Sequence, residues 1–128
     1  MKYFADTHIL LWAVSAPERL SSEQKSIIED EQNGILFSAA SIWEIAIKVS
    51  LGKLQLLISE HELLAQLTQG LGFQEVVIDG KTTITAAHLP YYHRDPFDRI
   101  IIAHCQNLNV PLLTVDGIIP KYDLITIA

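Results

Sequence analysis

The 128-residue chain carries 9 Lys and Arg against 15 Asp and Glu, for a formal net charge of −6, with one cysteine and an apolar fraction of 49%. That apolar fraction suits one α/β domain (residues 1–128) with a single sizeable core and excludes a disordered chain, while the lone Cys105 excludes an internal disulfide framework. The acidic balance weighs against tight non-specific binding of nucleic acid, but leaves room for a nuclease whose acids hold cations.

The apolar run Ile9–Val14 is too short to span a bilayer, and Met1-Lys2-Tyr3-Phe4 leads into Asp6 without the layout of a signal peptide. No membrane association and a cytoplasmic location are therefore expected. Residues 3 to 5 read as a short strand. Thr7 to Ser15 follows as a helix, with Leu10, Leu11 and Val14 at core spacing, and Ala16-Pro17 stops it. Ser21 or Ser22 caps a second helix that ends near Asn33-Gly34, and Ile35 to Phe37 is the next strand. Ser38 to Leu51 is a helix closed by Gly52, and Glu60 to Thr68 another closed by Gly70. Phe73 to Ile78 reads as a strand, Lys81 to His88 as a short helix and Pro96 to Asn107 as a long apolar helix. Val110 to Val115 and Leu124 to Ile127 complete the pattern as strands. Short apolar strands alternating with helices predict a parallel sheet covered on both faces.

Against that pattern the acids stand out. In parallel α/β folds the ligand site lies beyond the carboxyl ends of the strands. Asp6 and Asp116 end strands directly, Glu44 is early in the helix after the second strand, and Asp95 and Asp98 open the helix that feeds the Val110 strand. All converge on one edge. Crowded carboxylates disfavour each other's ionised forms, so such a gathering calls for a cation, and an all-oxygen site suits magnesium or manganese. Each acid also has a plain structural explanation. Asp6 can cap the helix at Thr7, Asp95-Pro96-Phe97-Asp98 is a good helix start, Ser41 with Glu44 fits a capping box, and Asp116-Gly117 fits a turn. Glu44 fits least well, because its helix is apolar nearly all round and should bury it.

Other chemistries find less support. No cysteine pairs accompany the histidines, so a zinc site is not expected, and His8, His61 and His104 read as isolated surface or core residues. Gly52-Lys53 lacks the upstream glycine of a phosphate-binding loop, and no Gly-x-Ser-x-Gly elbow is present. Trp43 and Phe97 fall at apolar helical spacing and are expected in the core rather than as base-stacking platforms. Lys48, Arg94 and Arg99 are candidates for phosphate contact, with surface solubility an equal explanation for the two arginines.

Taken together, Asp6-Thr7-His8, Ser41-Ile42-Trp43-Glu44-Ile45, His93-Arg94-Asp95-Pro96-Phe97-Asp98-Arg99 and Thr114-Val115-Asp116 resemble the PIN domain family, of the VapC-like kind found as toxins of toxin–antitoxin pairs. The motifs are individually short, but their order and spacing cover essentially the whole chain. The resemblance implies a PIN-like α/β/α sandwich with a short central parallel sheet and a magnesium- or manganese-dependent endoribonuclease. It matches Asp6, Glu44, Asp98 and Asp116 to the family's metal-holding catalytic acids, with Asp95 and Thr114 as auxiliary positions. His8 departs from the family, which often has Asn there. An RNA substrate, a small antitoxin partner and a homodimer are implied as well. The alternative is a non-catalytic interaction module of the same fold. A small-molecule phosphatase is disfavoured because Asp6 is followed by Thr7 and His8 rather than by a second Asp two residues on.

Overall fold

The computed structural model describes residues 1–128. Five strands, all parallel, form one sheet in the order β3-β2-β1-β4-β5. Strand β1 (Lys2–Ala5) lies at its centre. It pairs with β2 (Gly34–Ser38) on one side and with β4 (Leu112–Leu113) on the other. The edges are β3 (Gln74–Val76) and β5 (Thr126–Ile127). The connecting helices are α1 (Thr7–Ser15), α2 (Ser22–Glu29), α3 (Ala39–Ser50), α4 (Glu60–Ala65), α5 (Gly80–His88) and α6 (Pro96–Leu108).

Period-two alternation in the strands divides the core. Ala5, Ile35, Phe37 and Leu113 face a layer holding Ile9 and Leu10 of α1, Ile45 of α3 and Leu63 of α4. Phe4, Leu36 and Leu112 face the opposite layer, against Ile101, Ile102 and Cys105 of α6. Both sheet faces are buried, which is why the strands read as continuous apolar runs. Burial also pushes the Cys105 thiol pKa up. His104 belongs to this second layer: its ring stacks on Phe4, its Nε2 lies 2.9 Å from Ser38 Oγ, and burial holds its pKa below the ordinary value. No helix is long and apolar enough to cross a membrane.

The strand order reverses at β1, since the chain runs to β2 and β3 on one side and returns to β4 and β5 on the other. The crevice between the carboxyl ends of β1 and β4 is therefore the switch point at which such sheets place ligands.

Several elements are shorter than their apolar runs. The second helix stops at Glu29 rather than near Asn33, because Asp30 turns the chain and accepts from Gln32 N. Strand β4 keeps only Leu112 and Leu113 of the expected Val110–Val115, as Asp116 folds the chain back by accepting from Ile118 and Ile119 N–H. Strand β5 is likewise confined to Thr126–Ile127, and β3 to Gln74–Val76. The expected Glu60–Thr68 helix divides into α4 and a π turn over Gln66–Gly70. Helix α3 ends as its glycine suggests, with Gly52 at φ 70° just beyond its last turn.

Candidate metal centre

Asp6 leaves the end of β1 and enters the buried interior at the start of α1. Its Oδ1 accepts from Ile9 N at 3.1 Å, so the carboxylate caps α1, and its Oδ2 accepts from the Thr114 hydroxyl. Burial raises its pKa above the ordinary 3.8 even though both hydrogen bonds, with Thr114 and with Ile9, favour the charged form. Thr114 Oγ1 in turn accepts from Asp116 N at 3.1 Å. One buried hydroxyl thus ties together the acids at the ends of the two adjacent central strands.

Asp116 is held from the other side. Its Oδ1 accepts from Ile118 N at 2.7 Å and Ile119 N at 2.9 Å, which leaves Oδ2 directed at His93 Nε2, 3.0 Å away. Partial burial pushes this carboxyl up, but the hydrogen bonds from Ile119 N, His93 and Ile118 N outweigh it and hold the pKa below 3.8. His93 Nε2 also lies 3.1 Å from Asp98 Oδ2. Its other ring nitrogen, Nδ1, accepts from Asp95 N at 3.2 Å, which assigns the proton of the neutral ring to Nε2 and makes that N–H the donor shared by Asp98 and Asp116. Two carboxylate oxygens from different elements therefore meet at one point, and His93, Asp98 and Asp116 offer ligand atoms all within 4.8 Å of one another.

Asp98 bears the cost of this crowding. Burial first, then the negative charges of Asp95, Glu44 and Asp116, raise its pKa to about 7, with His93 the one opposing influence. Such a carboxyl keeps its proton into the neutral range unless a cation replaces it. A carboxyl whose pKa rises on folding stabilises the fold while protonated. Its contribution is complete below 3.8 and is lost as the pH climbs through about 7. In EDTA, wild type is thus expected to lose melting temperature relative to Asp98→Asn between pH 5 and pH 8, by roughly 5 °C. Thermal unfolding of both proteins across that range is the measurement. Parallel curves would remove Asp98 from the strained set.

Glu44 is buried mid-helix at 4% exposure. The capping box expected with Ser41 does not form, because Ser38 is the N-cap of α3 and accepts from Ala40 N, leaving Ser41 inside the helix. Instead Glu44 Oε1 accepts from the Thr7 hydroxyl at 2.7 Å, with Ser41 Oγ 3.0 Å from that hydroxyl, and Oε2 pairs with Lys48 Nζ at 2.8 Å. The Lys48 pKa is raised, chiefly by that hydrogen bond. Thr7 follows Asp6 directly, so the first turn of α1 bridges Asp6 to Glu44.

The remaining candidates separate. Asp95 caps α6, accepting from Phe97 N at 2.8 Å, and acts on Asp98 and Lys48 through its charge. Arg94 is exposed. Arg99 is not a phosphate contact: it is 6% exposed, and its guanidinium donates to the carbonyls of Ala86, Leu89, Pro90 and His93. Two groups that sequence reasoning passed over belong to the rim. One is His93, whose place two residues before the helix-capping Asp95 is a usable signal. The other is Thr7, whose hydroxyl bond to Glu44 no local pattern announces. Trp43, expected in the core, is 63% exposed.

Residues 3–124 match the family described as PIN domain. A 33-residue stretch, 26% of the chain, is 58% identical to Ribonuclease VapC16 of Mycobacterium tuberculosis (strain ATCC 25618 / H37Rv) and spans only 23% of that protein. Three solved structures resemble nearly the whole chain. VapBC2 from Rickettsia felis bound to a DNA fragment from their promoter has a TM-score of 0.69 at 18% identity, covering 99% of this chain and 98% of that one. VapBC-1 from nontypeable Haemophilus influenzae has a TM-score of 0.70 at 18% identity, covering 99% and 97%. FitAcB from Neisseria gonorrhoeae has a TM-score of 0.63 at 20% identity, covering 98% and 96%. At these identities the likeness concerns the fold, a parallel sheet of five strands between helical layers.

Proposed function

Because the chain belongs to the PIN domain family, we propose that it is a magnesium- or manganese-dependent endoribonuclease and the toxin of a toxin–antitoxin pair. One observation carries this reading. Asp98 and Asp116 are directed at a common point, in surroundings negative enough to raise Asp98 to about 7. That donor set fits a hard divalent ion, which takes oxygen ligands and relieves the repulsion. Asp6, Asp98 and Asp116 would hold the ion, with Glu44 reaching it directly or through water. Bound there, the ion supplies an ionised water at neutral pH and offsets charge on the phosphate and the leaving oxygen.

The chain's own groups have distinct tasks in this reading. Thr114 fixes Asp6, and the Ile118 and Ile119 N–H groups fix Asp116, so both carboxylates are oriented before substrate arrives. Lys48 offsets the charge of Glu44 and, being partly exposed, also reaches toward phosphate. Arg94, exposed between His93 and Asp95 in the chain, is a further candidate for phosphate contact. A groove of about 620 Å³ runs beside the site between α1, α3 and the segment after Gly52, with Leu54, Leu56 and Ile58 on its walls and Arg19 and Lys53 at its margin. In this reading the groove is where a small antitoxin would bind. A homodimer is part of the same proposal.

The rival reading, a non-catalytic interaction module, treats the acids as helix caps. Asp6 and Asp95 do cap helices. Glu44 and Asp98 are engaged by side chains instead, which favours the nuclease. The test is incubation of the antitoxin-free protein with structured RNAs in magnesium, manganese or EDTA. Cleavage is expected with either ion and not in EDTA, accompanied by an ion-dependent rise in melting temperature. Neither cleavage nor such a rise would overturn the proposal in favour of the binding module.

A further inference from the structure

Trp43 is an anomaly on α3. Its neighbours Glu44 and Ile45 are buried, and Ser41 is fully enclosed, yet Trp43 is 63% exposed. An apolar ring of that size is ordinarily among the first groups a small domain covers. It is nevertheless held in place. The Phe97 ring meets it edge-on, with centroids 5.4 Å apart and planes at 77°. This contact holds the indole against α6 while most of Trp43 stays exposed. The pair also sits at a particular place, because Trp43 immediately precedes Glu44 and Phe97 immediately precedes Asp98. An aromatic contact between α3 and α6 thus joins the two helices that bring those acids to the rim.

Electrostatics makes such a ring useful there. A chain of net charge −6 with five acids at this edge draws little affinity from phosphate contacts, and its half-exposed Lys48 is already paired with Glu44. A base stacked on an aromatic ring contributes affinity without charge, and does so for any base sequence. Only an unpaired base presents a free face, since pairing in a helix hides it between neighbours. We propose that Trp43, braced by Phe97, is a stacking platform for an unpaired base of the RNA at this site. This rests on the nuclease reading and assigns a substrate feature to the same site.

The test is binding rather than turnover. Fluorescence anisotropy of a short labelled oligoadenylate and of a blunt GC-rich RNA duplex is measured in EDTA, where cleavage is suppressed, for wild type, Trp43→Ala and Trp43→Tyr. Trp43→Ala is expected to weaken single-strand binding about 10-fold and leave duplex binding unchanged, while Trp43→Tyr recovers most of the affinity. Unaltered single-strand affinity in Trp43→Ala would overturn the proposal, as would equal losses for both RNAs. Conversion of a wild-type dimer to a monomer by Trp43→Ala, with RNA affinity kept, would assign the indole to a contact between two copies of the chain. Cleavage by wild type together with an indifferent Trp43→Ala removes the platform alone. No RNA binding and no metal-dependent cleavage by wild type would remove the nuclease reading with it.

Discussion

Asp6→Asn is expected to lower metal-dependent RNA cleavage by roughly 100-fold or more while leaving the fold at least as stable as wild type. The amide keeps the shape of the carboxylate, and Asn caps helices about as well as Asp, so the bond from Ile9 N survives. With the amide oxygen kept at the cap, the amide nitrogen takes the place of the oxygen that accepts from Thr114, and it can donate to Thr114 Oγ1 instead. What disappears is a buried negative charge that folding already disfavours, since burial raises the Asp6 pKa. The substitution therefore separates chemistry from stability. Cleavage in magnesium and manganese, read beside melting temperature with and without the ion, checks it. Retained cleavage would place the reaction elsewhere. A lower melting temperature in EDTA would show that the charge itself supports the fold.

Arg99→Met is expected to cost about 3 kcal/mol of stability, a fall in melting temperature of roughly 10 °C. Methionine can fill much of the space of the buried side chain, but it donates nothing to the carbonyls of Ala86, Leu89, Pro90 and His93. It also forfeits the stacking of the guanidinium 4.2 Å above the Tyr91 ring. Those carbonyls belong to the segment that delivers His93 to Asp98 and Asp116, and Tyr122 fastens the same segment by accepting from His93 N and donating to the Pro90 carbonyl. Activity is thus expected to fall with stability, and lysine is expected not to rescue, because an ammonium lacks the planar fork that spans four carbonyls. Denaturant unfolding of wild type, Arg99→Met and Arg99→Lys measures this. Unfolding midpoints within experimental error of one another would show that the clamp contributes nothing.

The Arg99 and Trp43 results identify where one-dimensional reading reaches its limit. Both sit in helices whose apolar content is high, and periodicity assigns the charged residue to the surface and the aromatic one to the core. The fold reverses both assignments. Arg99 lies beneath the last turn of α5 and the loop that follows, and a buried donor satisfies carbonyls there that run out of backbone partners. Trp43 lies where α3 passes the rim and no element crosses over it. Neither fact is encoded in spacing along one helix.

The sequence by itself determined the elements and their alternation, the parallel sheet with two buried faces, and the placing of Asp6 and Asp116 at strand ends, because hydrophobic period and capping chemistry are local properties of the chain. Tertiary structure alone decided which groups meet. Thr114 reaches Asp6 across 108 residues, Thr7 reaches Glu44 across 37, and His93 stands between Asp98 and Asp116. Such contacts depend on the order of the strands and on where each run is cut short, as when Asp116 turns the chain just beyond β4. Carboxylate repulsion and burial become strong only once those distant segments are brought within a few ångströms, so the chemistry of the rim emerges with the fold.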